Sequence, residues 1–466
     1  MVASLPSDST PDALAGVHLI LLHNYKRENT VQAISPPDRY NIISRVGAAS
    51  AALYGAYDVG VLGRIFNRDI GGFGDSFTAN CHSIAATAYA TENYGYLGNV
   101  AALSGTAFSS YLNNFGVVGE NTSQFLARIA APLASSCQIF LFPSVTNDRT
   151  ASGMTLADTK RNVLDIVEQF TKAGKLIIVG TGTPRFGTKA LSAQAAQDAY
   201  DYRTWVLNEL SKQVPVVNLW DDFTQADTVD DLHPNPVGAV KIANKFLPVI
   251  NQLQLKGIPL PVDVTDKYST FSRTGSLTAN PLLQVVSGNG TIQASANPVA
   301  GSVVVDDWTV LGSGLTGVSI QASVRTSSFG NAQTIKLSGA MASAGGYFSF
   351  QPLATIPTTN FTVGDTIGFV SAYSVSGTQR GLLSAELELI VVKPVSGTST
   401  TIYYRAMDKY QTGFPLNANS SGVLETQRYV IDGTETSIRV RATGYLETSV
   451  TQDQEVSISQ IATRKY

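Results

Sequence analysis

Cysteine is almost absent from this chain. Its 466 residues include two cysteines, Cys81 and Cys137. Two cysteines cannot build a disulfide framework, and neither has the paired spacing of a zinc site. The sequence therefore predicts no metal site based on thiols, and we interpret both cysteines as buried apolar side chains.

Charge is also scarce. Charged residues make up 14% of the chain and the net charge is -3, whereas about a quarter is usual in globular proteins. No run rich in Lys or Arg occurs, so a nucleic acid is excluded as the expected partner. Low charge with abundant Gly, Ser, Thr, Ala and Val is typical of β-rich extracellular or virion proteins.

Long hydrophobic runs are missing as well. The apolar stretch Val17–Leu22 is interrupted by His18 and is too short to cross a membrane. The N-terminus has no cationic segment, apolar segment or cleavage site, so no signal peptide is predicted. We expect an extracellular or virion protein whose signal was removed or which leaves its cell by another route, such as release with phage particles.

The chain is too long for one hydrophobic core, and its pattern changes along its length. Residues 1–66 are interpreted as an N-terminal extension or cap, with an Ala-rich, helix-like segment at Tyr40–Tyr57. Residues 67–262 alternate strands with helices, which predicts a parallel sheet covered on both faces. The expected strands are Asp69–Gly74, Asn99–Leu103, Gln138–Phe142, Lys175–Gly180 and Pro215–Leu219, and the expected helices are Phe77–Thr91, Ser123–Ser135, Thr155–Ala173, Ala190–Gln213 and Asn235–Leu253.

The C-terminal half has a different pattern. Residues 275–393 contain short strands separated by Gly, Asn and Ser, as in a β-sandwich. The segment Pro394–Ser399 is interpreted as a linker. Residues 398–466 are then a smaller β-rich C-terminal region.

A serine follows the first predicted strand of the α/β part, in Gly-Phe-Gly-Asp-Ser-Phe-Thr (residues 72–78). Gly74 permits a tight turn, after which Ser76 begins a helix with its hydroxyl at the sheet edge. Its own N–H could donate to a bound carbonyl. The alternative is that Asp75 or Ser76 only caps the helix.

The last helix is preceded by Asp230-Asp231-Leu232-His233. A carboxylate three residues before a histidine can reach the imidazole and fix its tautomer. Asp231 is the rival of Asp230, and spacing favours Asp230. The alternative is a surface loop in which Asn235 caps the helix.

Two further polar positions follow predicted strands. Gly105 comes after Asn99–Leu103, where its N–H could approach a ligand, and Asn147 follows Gln138–Phe142, where its amide could donate to an oxyanion. Taken singly, a glycine such as Gly105 is more often a turn residue, and an asparagine such as Asn147 is more often a turn or cap residue.

In order and spacing, these four blocks resemble those of the SGNH (GDSL-like) hydrolases over residues 67–255. The resemblance implies a three-layer α/β/α domain, Ser76 as nucleophile, His233 as general base and acid, and Asp230 as its orienting carboxylate. It implies an oxyanion hole made by Ser76, Gly105 and Asn147, with no metal and no cofactor. Two positions depart from the family pattern: Val145 stands where Gly is frequent, and Phe77 where Leu is common. His82 is interpreted as a structural or rim residue.

The C-terminal half resembles carbohydrate-binding modules. Asn280-Pro281-Leu282-Leu283, followed by Asp307-Trp308-Thr309, is similar to the start of a jelly-roll carbohydrate-binding domain. The combination resembles phage tail spikes that remove O-acetyl groups from a surface polysaccharide, which implies an acetylated polysaccharide as partner and a homotrimer. The alternatives are a secreted acetyl-xylan-like esterase, a lipid-directed esterase, for which no lid segment is visible, and a glycan-binding adhesin with an inactive hydrolase domain.

Overall fold

The computed structural model describes residues 68–79, 95–107, 113–143, 145–151, 153–253, 255, 257–258, 260–269, 275–343, 345–377, 382–405, 420–446 and 451–466. The predicted extension 1–66, with its helix at Tyr40–Tyr57, lies outside these residues. So do Cys81, His82 and the helix predicted at Phe77–Thr91 beyond Ala79. No helix in the described ranges is long and apolar enough to cross a membrane.

The α/β part is built on a parallel sheet. Within the described residues it has five strands in the order β2-β1-β3-β4-β5, and all four neighbouring pairs are parallel. These strands are β1 Ile70–Gly74, β2 Asn114–Gly116, β3 Ile139–Phe142, β4 Leu176–Gly180 and β5 Val216–Val217.

Helices cover both faces of this sheet. Successive residues of a strand point to opposite faces, so each face has its own set of apolar side chains to bury. Ile139 and Leu141 of β3 belong to one apolar cluster, and Phe140 and Phe142 belong to the other. The predicted three-layer α/β/α fold is therefore confirmed. Its helices are α1 Ser76–Ala79, α2 Tyr96–Ser104, α3 Thr122–Ala127, α4 Ala130–Ala134, α5 Leu156–Lys172, α6 Ala193–Asn208 and α7 Pro236–Gln252.

The predicted strand Asn99–Leu103 is wrong, because this segment lies inside helix α2. Its buried residues Tyr96, Leu97 and Val100 follow helical spacing. The apolar run in this segment, Val100–Leu103, is too short for its period to separate helix from strand, and its two Ala residues favour a helix. Strand β1 pairs with β3 on one side and with β2 on the other, and no strand was predicted at β2.

The C-terminal half is a sandwich of two mainly antiparallel sheets. In the part of the chain that the structure describes, one sheet has the order β13-β12-β16-β10-β7-β6. The other has the order β14-β11-β18-β9-β17, with β8 paired to β9 and β15 to β11. The strands are β6 Thr291–Ile292, β7 Trp308–Ser313, β8 Val318–Ser327, β9 Gly330–Ala340, β10 Tyr347–Pro352, β11 Thr366–Ser376, β12 Leu382–Val395, β13 Thr398–Arg405, β14 Ser420–Glu425, β15 Tyr429–Val430, β16 Ser437–Leu446, β17 Thr451–Gln452 and β18 Glu455–Lys465.

Both sheets contribute to one core. Phe348 and Phe350 of the first sheet share an apolar cluster with Ile335 and Phe369 of the second. Trp308, part of the segment that resembles a carbohydrate-binding domain, is fully buried and stacks on Phe350 with ring centroids 4.5 Å apart. Its role here is to fill the core.

The segment interpreted as a linker is a β-hairpin. Val395 pairs with Thr398, which leaves Ser396 and Gly397 as a two-residue turn with φ of 51° and 80°. Positive φ at both positions is the mark of the tight turn that joins twisted antiparallel strands. Strands after residue 398 enter both sheets, so this C-terminal region completes the sandwich and does not form a separate unit.

The sandwich packs directly against the α/β part. Gly422 of β14 lies against the carbonyl oxygen of Ala102 in α2, where an added Cβ would clash with that oxygen. Arg68, just before β1, forms an ion pair with the buried Glu425 at 2.8 Å. The segment after α7, which connects the two halves, is also fixed to the end of α2, because the Ile258 N–H donates to Gly105 O at 2.9 Å.

Candidate active site

Ser76 lies where β1 ends and α1 begins, at the carboxyl edge of the parallel sheet. Gly74 has φ of 151°, a value that L-residues rarely adopt, which allows the sharp turn. Buried Asp75 then accepts a hydrogen bond from the Phe77 N–H at 2.9 Å and fixes the start of the helix. Ser76 itself is 4% exposed.

The structure brings Ser76 and His233 together although 157 positions separate them. The Nε2 atom of His233 is 2.8 Å from Ser76 Oγ. Its Nδ1 atom is 2.8 Å from Asp230 Oδ2. Asp230 Oδ1 accepts the backbone N–H of His233 at 2.7 Å, which holds the loop in register. A hydroxyl, an imidazole and a carboxylate are thus joined in a chain that can move a proton.

Asp230 is poised to remain ionised. Asp230 is only partly buried, and this partial desolvation alone would raise its pKa. Hydrogen bonds from the backbone and ring of His233 outweigh it and hold the pKa of Asp230 below its ordinary value. Phe77 packs beside the imidazole, with ring centroids 5.8 Å apart. An ionised Asp230 favours the Nδ1–H tautomer of His233, which leaves Nε2 as an acceptor toward Ser76.

The rival carboxylate, Asp231, is engaged elsewhere. Its side chain accepts hydrogen bonds from the Thr188 N–H and Oγ1–H, both at 2.9 Å, and from Gln225 Nε2 at 2.7 Å. Asp231 therefore ties the histidine loop to a neighbouring loop, and Asp230 alone of the two contacts His233.

Gly105 does not stand where the sequence placed it. It caps the end of helix α2 with φ of 58°, so it does not follow a strand. Its carbonyl accepts from Ile258, and a Cβ added to it would lie 3.3 Å from Val423 of the sandwich. The strand argument for an oxyanion role at Gly105 is therefore wrong, and this glycine belongs to the junction between the two halves.

The loop that does follow the strand beside β1 was missed. After β2, the Val117 N–H donates to Gly74 O at 3.0 Å, and a turn from Val117 to Glu120 places Gly119 at φ of 80°. A Cβ added to Gly119 would meet no atom within 4 Å. The glycine pair in Phe115-Gly116-Val-Val-Gly119 is the signal that could have located this loop.

Asn147 lies beside that loop. It follows β3 in a short 3-10 turn, Thr146–Arg149, and its Nδ2 donates one hydrogen to Glu120 O at 2.9 Å. A second Nδ2 hydrogen remains for another acceptor. Val145, at the position where the family often has Gly, has φ of -128°, which lies outside the left-handed region that favours glycine.

A buried carboxylate fixes the turn that carries Asn147. Asp148 is 1% exposed and accepts from the N–H and Oγ1–H of Thr122, at 2.9 and 2.6 Å, and from Thr159 Oγ1 at 2.8 Å. These bonds join the turn to α3 and α5. Three donors on one buried carboxylate make a rigid support, since each would be costly to leave unpaired.

Arg128 links the ends of the two neighbouring strands. Its Nη2 donates to Gly74 O and its Nη1 to Phe115 O, both at 2.8 Å, and it forms an ion pair with Glu120. The guanidinium also lies over the Phe73 ring, 5.1 Å from its centroid. Arg128 therefore holds the turn before Ser76 against the Gly119 loop.

Sequence comparison identifies the family of this part of the chain. The model of the GDSL-like Lipase/Acylhydrolase family matches residues 73–240. A search of curated proteins finds no matching sequence.

Several solved structures resemble the chain over about two fifths of its length. A family 3 carbohydrate esterase from Clostridium thermocellum is 17% identical, with 40% of this chain and 96% of that chain covered and a TM-score of 0.32. A carbohydrate esterase family 3 protein from Talaromyces cellulolyticus is 16% identical, with 40% and 97% covered and a TM-score of 0.31. A member of the lipolytic protein G-D-S-L family from Veillonella parvula DSM 2008 is 15% identical, with 39% and 98% covered and a TM-score of 0.32.

The family match begins at the strand end before Ser76 and ends in α7, just after His233. The resemblance inferred from the sequence blocks is thereby confirmed. Residues 73–240 therefore form a domain of the GDSL-like lipase/acylhydrolase family, and this part of the chain is a carboxylic ester hydrolase domain.

Proposed function

We propose that the chain removes acetyl or other short acyl groups from a polysaccharide, with Ser76, His233 and Asp230 as a catalytic triad. The observation that carries the proposal is the chain of two 2.8 Å contacts from Ser76 Oγ through the His233 ring to Asp230. Nucleophile, base and orienting group within hydrogen-bond reach are the geometric mark of a serine hydrolase.

The reaction proceeds in two displacements. His233 Nε2 takes the Ser76 proton as Oγ attacks the ester carbonyl, and Asp230 stabilises the imidazolium. The tetrahedral intermediate collapses, its C–O bond to the sugar breaks, and His233 gives its proton to the leaving sugar oxygen. His233 then takes a proton from water, whose oxygen attacks the acyl carbonyl. The bond between the acyl carbon and Ser76 Oγ breaks, His233 returns the proton to Oγ, and the carboxylic acid leaves.

For the oxyanion hole we propose the N–H groups of Ser76 and Gly119 together with Asn147 Nδ2, so that Gly119 takes the place predicted for Gly105. Three observations support this set. The Gly119 loop follows the strand beside β1, it is bonded to the turn before Ser76, and Asn147 donates to its carbonyl at Glu120. Donors fixed before the reaction stabilise developing charge without reorganisation.

The polysaccharide part of the proposal is supported by the sandwich. It packs on the catalytic part through β14 and α2, so a glycan bound to it would be held at a fixed position relative to Ser76. Fold alone does not identify a substrate. The substrate therefore requires an activity measurement.

The test measures acetate release from 4-nitrophenyl acetate and from acetylated polysaccharides by the wild type and by Ser76→Ala. We expect release by the wild type and a loss of about 10³-fold or more in kcat for the variant. Equal rates for both proteins would overturn the triad. A wild type inactive on every ester would leave the competing proposal, a glycan-binding adhesin with an inactive hydrolase domain.

We further propose that the chain is the subunit of a homotrimeric phage tail spike that deacetylates a bacterial surface glycan. The β-rich C-terminal half and the low overall charge support it. Sedimentation equilibrium of the full chain tests it directly. A monomer would overturn the spike setting and leave the esterase proposal intact, with a secreted polysaccharide esterase as the remaining alternative.

A further inference from the structure

A polar pocket lies beside the proposed catalytic groups, at the carboxyl ends of β3 and β4. It is formed around Arg149, Thr183, Arg185 and Tyr202, and Trp220 lies at its wall. We call it the arginine pocket. Its volume is about 30 Å³, and a water needs roughly 10–15 Å³ on this scale, so the pocket holds about two water-sized groups.

Four polar atoms that line the arginine pocket are buried and have no hydrogen-bond partner among the described residues. They are Arg149 Nε, Thr183 Oγ1, Arg185 Nε and Tyr202 Oη. Thr183 and Tyr202 are 5% and 2% exposed, and the Arg149 side chain is 4% exposed. Buried polar groups are nearly always paired in folded proteins, so four around one pocket predict an occupant that supplies acceptors.

The chemistry of these atoms restricts the occupant. An arginine Nε can only donate, and both hydroxyls can donate. The occupant therefore offers at least two acceptor sites, and two guanidinium groups favour a negative charge on it. A carboxylate has two oxygens and fits the volume.

Neighbouring carboxylates compensate the two arginines only in part. Arg149 Nη1 is 3.8 Å from Asp198 Oδ2, too long for a hydrogen bond, and its Nη2 donates to Thr159. Burial lowers the pKa of Arg185, an effect that the charges of Asp75 and Asp230 oppose. Asp148, near Tyr202, is already occupied by its bonds to Thr122 and Thr159. A bound anion would offset the cost of burying both guanidinium groups.

The arginine pocket adjoins the proposed reaction centre on two sides. Val145 and Thr146 line it and directly precede Asn147. Arg185 lies within electrostatic range of Asp75, next to Ser76, and of Asp230. We propose that the arginine pocket binds a carboxylate of the substrate, so that the enzyme deacetylates an acidic glycan containing uronic acid residues. This inference rests on the esterase function proposed above.

The test uses pairs of acetylated methyl glycosides that differ only at C6. An acetylated methyl glucuronide is compared with the glucoside, and an acetylated methyl galacturonide is compared with the galactoside. We expect the wild type to favour the acidic member about tenfold or more in kcat/KM, as charge-assisted hydrogen bonds in a buried site imply. Arg149→Gln and Tyr202→Phe should reduce that ratio. The second variant removes a single oxygen atom, so it keeps the test valid if Arg149→Gln fails to fold.

A matched control is Arg161→Gln, which removes an arginine 66% exposed on α5. Its acid-to-neutral ratio should equal that of the wild type. Free glucuronate or galacturonate should also inhibit hydrolysis of 4-nitrophenyl acetate more strongly than glucose or galactose does.

Two results would overturn the inference and can be told apart. Equal kcat/KM on acidic and neutral members, with Ser76-dependent hydrolysis of both, would mean that the pocket holds only ordered water while the esterase function stands. No hydrolysis of any ester, 4-nitrophenyl acetate included, would overturn the esterase function and the subsite with it.

Discussion

At the scale of single residues, the adjacent Asp230 and Asp231 have different roles, which follow from their different side-chain contacts. Asp230 bonds to the ring and backbone of His233, whereas Asp231 bonds to Thr188 and Gln225. The pKa of Asp230 lies below its ordinary value. Ionised Asp230 therefore stabilises the folded state fully at neutral pH. This contribution to the free energy of unfolding is lost as the pH falls through the lowered pKa of Asp230.

We predict that Asp230→Asn lowers kcat by about 10²–10⁴-fold, because an amide that donates to Nδ1 favours the wrong tautomer of His233. Steady-state kinetics on 4-nitrophenyl acetate at neutral pH measures the effect. Asp231→Asn is the matched control and should stay within about threefold of the wild type. Equal losses in the two variants would contradict the assignment of Asp230.

Sequence alone could predict that Ser76, His233 and Asp230 lie together, because each lies in a short motif at a strand end or before a helix. It could not predict Arg128, whose main partners, Gly74 O and Phe115 O, are backbone atoms that no motif records. Nor could it distinguish Gly105 from Gly119, since that choice depends on which segment pairs with β1.

At the scale of elements, strands that are buried on both faces were predictable and short segments were not. The continuous apolar runs of β3 and β4 are rich in Ile, Val and Phe, and this composition favours a strand over a helix. The run in α2 was too short for its period to decide, and β2 has three residues. At Ser396-Gly397 the composition of a linker and of a tight hairpin turn is the same.

Arg128 joins β1 to β2, so its removal should loosen the turn before Ser76 and the Gly119 loop together. We predict that Arg128→Met lowers kcat by about tenfold or more with a smaller change in KM, since misplaced oxyanion donors act mainly on the transition state. Arg128→Lys should restore part of the loss through one carbonyl contact. A change confined to thermal stability would show that Arg128 has a structural role only.

At the scale of the whole molecule, the catalytic part and the sandwich meet backbone to backbone. Gly422 of β14 lies against the Ala102 carbonyl, and Glu425 of the same strand is buried in an ion pair with Arg68. Removing one partner of the Arg68–Glu425 ion pair, or adding a side chain at Gly422, is therefore expected to lower the stability of the folded chain.

We predict that Gly422→Ala lowers the free energy of unfolding by about 1–3 kcal/mol, because the added methyl group forces β14 away from α2. Calorimetry of the full chain measures this. Val430→Ala, at a side chain 55% exposed on β15, is the control and should shift Tm little. An unchanged Tm in Gly422→Ala would mean that the two halves separate without cost.

The Gly422–Ala102 contact also limits how this protein can be recombined. A β-sandwich from another protein, joined at the connecting segment, would present its own side chains to α2. Any residue larger than glycine at this position would force the strand away from the helix. Substitutions in α2 and β14 are therefore coupled. Variants in which the whole sandwich is exchanged should keep this strand or change both contacting positions at once.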